Sequence, residues 1–205
     1  IMIFNIKITH IYFDLTNSSE IRTSISEIIK MKEPIDILVN SAGIIHGGIF
    51  QMTSLQTIKD VFSVNFFGML EVTQLVSKFM IRKKNGSIIN ISSLAAVYGL
   101  PFALHYAVSK AAVIGMTRSL ARELGRDWIR VNSIAPSAVM TEGTEEFFGP
   151  KLEKAKDVIA SGQTLQRNLE TGDLSGTVLY LASDASKFVT GQTLMVDGGA
   201  HCRIG

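Results

Sequence analysis

The 205 residues carry 20 Lys and Arg against 18 Asp and Glu, a formal net charge of +2, with 46% hydrophobic and 19% charged residues. That length and composition fit one domain with a real core and exclude a disordered chain, and the small, evenly spread charge argues against nucleic acid or a membrane surface as partner. The one cysteine, Cys202, rules out an internal disulfide and points to a reducing cytoplasm, and no apolar run approaches the roughly 20 residues of a membrane span.

At the start, Asn5, Lys7 and His10 break the apolar pattern, so no signal peptide is read there. The opening Ile1, in place of Met, hints at a start that is not native. "HIYFD" (10–14) is a short strand candidate. "SSEIRTSISEIIKMK" follows with Ile21, Ile25, Ile28 and Ile29 at helical spacing and a serine cap before them. "IDILVN" (35–40) is a continuous apolar strand. Residues 54–84 read as one long helix with Lys and Arg at its C-terminal end. "GSIINIS" (86–92) is a strand, and 103–125 is a second long helix that ends at a glycine. "IRVNSIAP" (129–136) is a strand, "TGDLSGTVLYLAS" (171–183) a helix and "QTLMVDGG" (192–199) a last strand.

Apolar strands separated by helices indicate a parallel sheet covered on both faces, hence a doubly wound α/β fold in a single domain over 1–205. Ligands of such sheets sit beyond the carboxyl ends of the strands. That directs attention to Asp14, "NSAG" (40–43), "SSLAAVYG" (92–99) and "PSAVMT" (136–141).

One constellation stands out. Ser93 follows a strand, Tyr106 lies 13 residues on, and Lys110 is 4 residues further on the same helix face. An ammonium beside a phenol lowers the tyrosine pKa, so the phenol can trade a proton with a substrate oxygen near neutral pH. A nearby serine hydroxyl can hydrogen-bond the same oxygen. This design suits carbonyl/alcohol interconversion with a nicotinamide cofactor. Alone, Tyr-x-x-x-Lys is a common helical pair and more often structural.

Other segments change that weighing. "NSAG" (40–43), "SVNFFG" (63–68), "GSIINISS" (86–93), "YAVSK" (106–110), "RVNSIAPSAVMT" (130–141) and "FVTGQTLMVDGG" (188–199) occur in this order. On these six ordered motifs the chain resembles the short-chain dehydrogenase/reductase family, from about Asp14 to the end. Its body is similar to 3-oxoacyl-carrier-protein reductases and to sugar or secondary-alcohol dehydrogenases.

The resemblance implies a Rossmann-like fold, NAD or NADP as cofactor, and a small carbonyl or alcohol substrate. It implies Tyr106 as acid/base, Lys110 as its pKa modulator and ribose ligand, and Ser93 as the group that polarises the carbonyl. Ser92 fits worse, one residue off in spacing. Asn65 would hold a water linking Lys110 to a proton relay. Asp14 would contact adenine; Asn40, Ala42 and Gly43 would line the adenosine side; Val139 and Thr141 would contact the nicotinamide amide. A homodimer or homotetramer is implied, packed through the two long helices.

Each residue has a plainer alternative. Asn65 can bridge to backbone, Asp14 can cap the next helix, Asn40 can be structural, and Ser137 and Thr141 can shape a turn. His105 reads as a pocket wall and His46 as solvated, and no His/Cys/Asp/Glu cluster suggests a metal. Residues 141–165 occupy the place of the family's variable substrate lid, with Phe147 and Phe148 as apolar lining. "RKK" (82–84) and Arg126 can meet an acidic carrier protein or simply serve helix ends.

Three departures from the family pattern are visible. Ser41 and Ser137 replace an asparagine and a glycine. The opening Gly-rich turn (Thr-Gly-x-x-x-Gly-x-Gly), which cradles the pyrophosphate at a helix start, does not occur. The expectation is a fold shortened at its N-terminus by about two strand–helix units, with residues 1–8 patching the bared edge of 35–40. Weak cofactor binding or none is then expected, and a catalytically inactive remnant or subunit is the alternative function.

Overall fold

Four apolar runs form a parallel sheet in the computed structural model, which describes residues 7–202. They are Ile37–Asn40 (β1), Gly86–Ile91 (β2), Ile129–Pro136 (β3) and Thr193–Val196 (β4), in the order β1-β2-β3-β4. Ile37 pairs with Ser87, Gly86 with Ile129 and Ser133 with Thr193. The two central strands are buried on both faces, and their side chains alternate between two cores as strand geometry requires. Ile88 and Val131 face a core with Ile21, Ile25, Val72, Val76, Met80 and Leu124. Ile89 and Ile134 face the opposite one, with Leu181.

Helices Ser18–Lys30 (α1), Met69–Lys83 (α3) and Leu104–Leu124 (α5) supply the first core, and Thr171–Ala182 (α8) the second. The sheet is therefore a doubly wound, Rossmann-like α/β layer, but cover is incomplete at β1. Its Leu38 packs into the first core, whereas Ile37 and Val39 are exposed on the other face.

Three local expectations are corrected. Asn17, not a serine, caps α1: its Oδ1 accepts from Ser19 N (3.1 Å) and Glu20 N (3.3 Å). Asp14 does not cap it either. Residues 10–14 form no strand. A strand needs a ladder partner, and among the described residues none lies beside them. The chain instead lays Leu15 across Gly68, where a Cβ would come within 2.3 Å of the Leu15 carbonyl oxygen, so only glycine fits. The edge-patching segment 1–8 falls mostly outside the described residues; Lys7 and Ile8 are in no strand.

The long helix expected over 54–84 is helical but not uniform. It runs as Leu55–Phe62 (α2), six residues of π-helix at Ser63–Gly68, and α3. Ala95–Tyr98 (α4), Glu142–Phe148 (α6) and Leu152–Ser161 (α7) add short helices not read from the sequence. Among the described residues no helix is long and apolar enough to cross a membrane.

Candidate active site

The carboxyl end of β2 delivers the first functional side chains. Ser92 N donates to Ile134 O (2.8 Å), and Ser92 Oγ donates to Lys110 O (2.8 Å). Ser92 is thus a buried tie between sheet and α5, which leaves Ser93 as the serine that faces outward. Ser93 Oγ accepts from Ala95 N (3.1 Å) and lies near enough to the Tyr106 side chain to favour its ionised form.

Helical spacing places Lys110 one turn from Tyr106. Lys110 is 4% exposed, and its Nζ donates to Ile91 O at 2.9 Å. Burial without an acid partner disfavours the charged form and pulls the ammonium down to about 8. Nζ stands 6.0 Å from the Tyr106 ring centroid. Burial is the larger influence on the Tyr106 phenol and pushes its pKa up, opposed by Ser93, so the net direction runs against the expected lowering.

Two further residues close around Lys110. A Cβ on Gly43 would lie 3.1 Å from Lys110 Nζ and 3.3 Å from Asn65 Oδ1. The close approach that glycine permits here is thus to the lysine. Asn65, fully buried in the π-helical turn, accepts from Ile44 N (2.8 Å) and donates to Ile44 O (2.9 Å) and Ser109 Oγ (3.1 Å). Ser109 Oγ in turn donates to Tyr106 O (2.7 Å). One asparagine therefore joins the loop after β1 to the tyrosine's own backbone. A π-turn is a frequent mark of functional sites in helices.

These groups open onto one cavity of about 930 Å³. Ser93, Tyr106, Lys110, Gly43, Val139 and Thr141 line it. Val139 bridges to Leu169, and Thr141 Oγ1 caps α6 by accepting from Thr144 N (3.3 Å). Phe147 and Phe148 form an apolar wall, their rings edge to face with centroids 5.0 Å apart.

The other expected residues lie elsewhere. Asn40 is buried and donates to Thr73 Oγ1 (2.9 Å) and Asn90 Oδ1 (2.8 Å), which is a structural role. Asp14 is exposed and accepts from Thr16 N (2.8 Å), a turn contact that keeps its carboxyl below the usual range. Ala42 is exposed and outside the cavity lining.

Some of the wall was not foreseen. Loop 44–48 reaches the cavity through Ile44, Ile45, His46 and Gly47, and a Cβ on Gly47 would touch the Phe147 ring at 3.1 Å. His105, buried behind, packs its ring 5.5 Å from that of His46, and burial holds its pKa low. Ser137 Oγ bonds Gln163 Oε1 (2.6 Å), so the serine that departs from the family pattern ties the β3 turn to the 141–165 segment. A Gly-rich flank at 47–48 was the one available signal for that loop.

The site can hold the nicotinamide end of a dinucleotide. Lys110 keeps two of its three protons for a ligand, beside a glycine cradle that a methyl group would crowd. Among the described residues no group of His, Cys, Asp and Glu is arranged to hold a metal.

Comparison with known proteins agrees with this architecture. A family model described as "Enoyl-(Acyl carrier protein) reductase" matches residues 4–201. The chain is 37% identical over 193 residues to the 3-oxoacyl-[acyl-carrier-protein] reductase FabG of Thermotoga maritima, covering 94% of this chain and 77% of that protein. It is 34% identical over 188 residues to the FabG of Staphylococcus epidermidis, covering 92% and 75%. The crystal structure of a gluconate 5-dehydrogenase from Burkholderia cenocepacia J2315 in complex with NADP and tartrate superposes with a TM-score of 0.87 at 31% identity, over 94% of this chain and 74% of that one. ElxO with NADP bound gives 0.86 at 30% identity, over 93% and 77%. By its fold, its ordered motifs and these relatives, the chain belongs to the short-chain dehydrogenase/reductase family of oxidoreductases.

Proposed function

We propose that this protein reduces a 3-oxoacyl thioester to the 3-hydroxy form with NADH or NADPH, or runs the reverse oxidation. The observation that carries the reading is the convergence of the Ser93 and Tyr106 hydroxyls and the Lys110 ammonium on one end of a cavity with an apolar wall. A nicotinamide bound there supplies the hydride for reduction or accepts it in oxidation.

The chain's own residues do the rest. Tyr106, raised by burial, is a phenol at neutral pH and gives its proton to the carbonyl oxygen as that oxygen becomes an alcohol. Ser93 holds the same oxygen by a hydrogen bond and keeps it in reach of the phenol. Lys110, still mostly cationic at neutral pH, would bind the cofactor's ribose hydroxyls. Val139 and Thr141 line the cavity where they can meet the carboxamide. Asn65 positions Tyr106 and Lys110 through Ile44 and Ser109 rather than touching substrate. Phe147 and Phe148 exclude water from the acyl chain.

Asp14, Asn40 and Ala42 complete the cofactor set that the family pattern implies; Asn40 would act through β1 rather than by contact. The π-helical turn before α3 and helix α5, with Phe67, Leu104 and Val108 exposed, suit a self-association surface, and sedimentation gives the stoichiometry. The basic helix ends give the carrier-protein reading less support, since Lys83 pairs with Asp36 and Arg82 lies 4.9 Å over the Phe79 ring.

A second reading follows from the family model's own description, an enoyl reductase. A purified-protein assay with paired 3-oxoacyl and enoyl thioesters separates the two. Oxidation of NADPH or NADH with the 3-oxo compound and none with the enoyl compound supports the first. The opposite pattern replaces it, and consumption of neither supports the inactive alternative.

A further inference from the structure

Beyond the carboxyl end of β4 the chain turns sharply. Gly198 and Gly199 take φ values of 59° and 81°, a region that favours glycine, and bring residues 200–202 back over Asp197. Asp197 is 3% exposed, and its carboxylate accepts from Gly199 N (3.1 Å), His201 N (2.9 Å) and the His201 ring at Nδ1 (2.8 Å). A carboxylate only accepts, so Nδ1 carries a proton, and in the neutral ring Nε2 then presents a lone pair. Facing that lone pair at 2.9 Å is the Sγ of Cys202, which is exposed.

Thiol, imidazole and buried carboxylate thus stand in line, each within hydrogen-bond reach of the next. This is the arrangement that activates a nucleophile: a base beside it and a third group that fixes the base's tautomer. Neither the hydride chemistry nor the substrate cavity uses it. It forms no metal site.

We propose that Cys202 is a thiol-exchange site, with His201 as its base and Asp197 as the residue that positions His201, and that its partner is a small disulfide. His201 Nε2 takes the proton from Sγ. The thiolate attacks one sulfur of the incoming disulfide, the new Sγ–S bond forms as the old S–S bond breaks, and the released thiolate recovers the proton from His201. The disulfide is the oxidant, and one of its halves leaves as a thiol.

The position gives such an adduct a consequence. Tyr98 Oη donates to His201 O (3.1 Å), Leu165 N to Gly198 O (2.8 Å) and Thr164 Oγ1 to Gly199 O (3.2 Å). Tyr98 and Ala200 both line the substrate cavity. The turn that bears Cys202 therefore holds the end of the 141–165 segment against the cavity rim.

Because the chain has one cysteine, thiol chemistry on it reads a single site. The test is the rate at which the purified chain releases coloured thiolate from dithiobis(nitrobenzoate) at neutral pH, for the parent, His201→Gln and Asp197→Asn. A free thiol is a few per cent ionised there, so the parent is expected to react about tenfold faster than His201→Gln, with Asp197→Asn between them. Free imidazole added to His201→Gln should restore part of the rate, which a merely structural role of the histidine would not produce. Should the variants fail to fold, the native parent must still outpace the same chain unfolded in urea. Equal rates, or no gain from added imidazole, overturn the proposal. No cofactor or substrate enters the assay, so its outcome is independent of the reductase reading.

Discussion

Asn65 grips both backbone polar groups of one residue: its Oδ1 accepts from Ile44 N at 2.8 Å and its Nδ2 donates to Ile44 O at 2.9 Å. The pair locks the loop after β1 onto the π-helical turn, behind Lys110 and Gly43. Removing it takes the partner from two partly buried backbone groups. Asn65→Ala is expected to lower the unfolding free energy by about 1–2 kcal/mol. Denaturant titration checks this; an unchanged midpoint would show that water replaces the side chain without cost.

Gly43 has a different kind of importance. A Cβ there would stand 3.1 Å from Lys110 Nζ, so the ammonium must give way slightly to an added methyl group. Gly43→Ala should weaken NADH or NADPH binding about tenfold while the melting temperature shifts little, because the displaced atom is the end of a flexible chain. A variant with parental affinity would separate Lys110 from cofactor binding.

Lys110 also makes stability depend on pH. Its folded pKa of about 8 lies below the ordinary 10.5, so between these values the unfolded chain holds the extra proton. Stability then rises with pH across that window, by on the order of 3 kcal/mol in total, and is at its low plateau below about pH 8. Tyr106 acts oppositely: its folded pKa is raised, so its contribution is lost as pH climbs past the ordinary value near 10. Lys110→Met is expected to remove the rise between pH 8 and 10, measured by denaturant unfolding at each pH. A parent with a flat profile there would mean that the ammonium is hydrated.

Much of this was legible in residues 86–91 and 129–136, since strands buried on both faces read as unbroken apolar runs. Ser93, Tyr106 and Lys110 were legible because their spacing sits inside an ordered set of motifs. The π-turn at 63–68 was not, since it keeps the side-chain pattern of an ordinary helix. Residues 10–14 have a strand's composition but, among the described residues, no neighbour to pair with, a fact no local pattern carries. Helices α6 and α7 cover a cavity rather than a core, so their apolar residues follow the cavity's shape. The Asp197–His201–Cys202 line depends on two glycines in the left-handed region, and adjacency in sequence gives no hint of it.

The central claim is that the Tyr106 hydroxyl carries the proton in carbonyl reduction. The most direct measurement is oxidation of NADPH by a 3-oxoacyl thioester at millimolar cofactor, for the parent chain and Tyr106→Phe, with both variants' folds compared by circular dichroism. The account predicts turnover in the parent and at least about a hundredfold less in Tyr106→Phe at equal cofactor affinity. Equal rates in the two proteins, or no turnover in the parent, would contradict it.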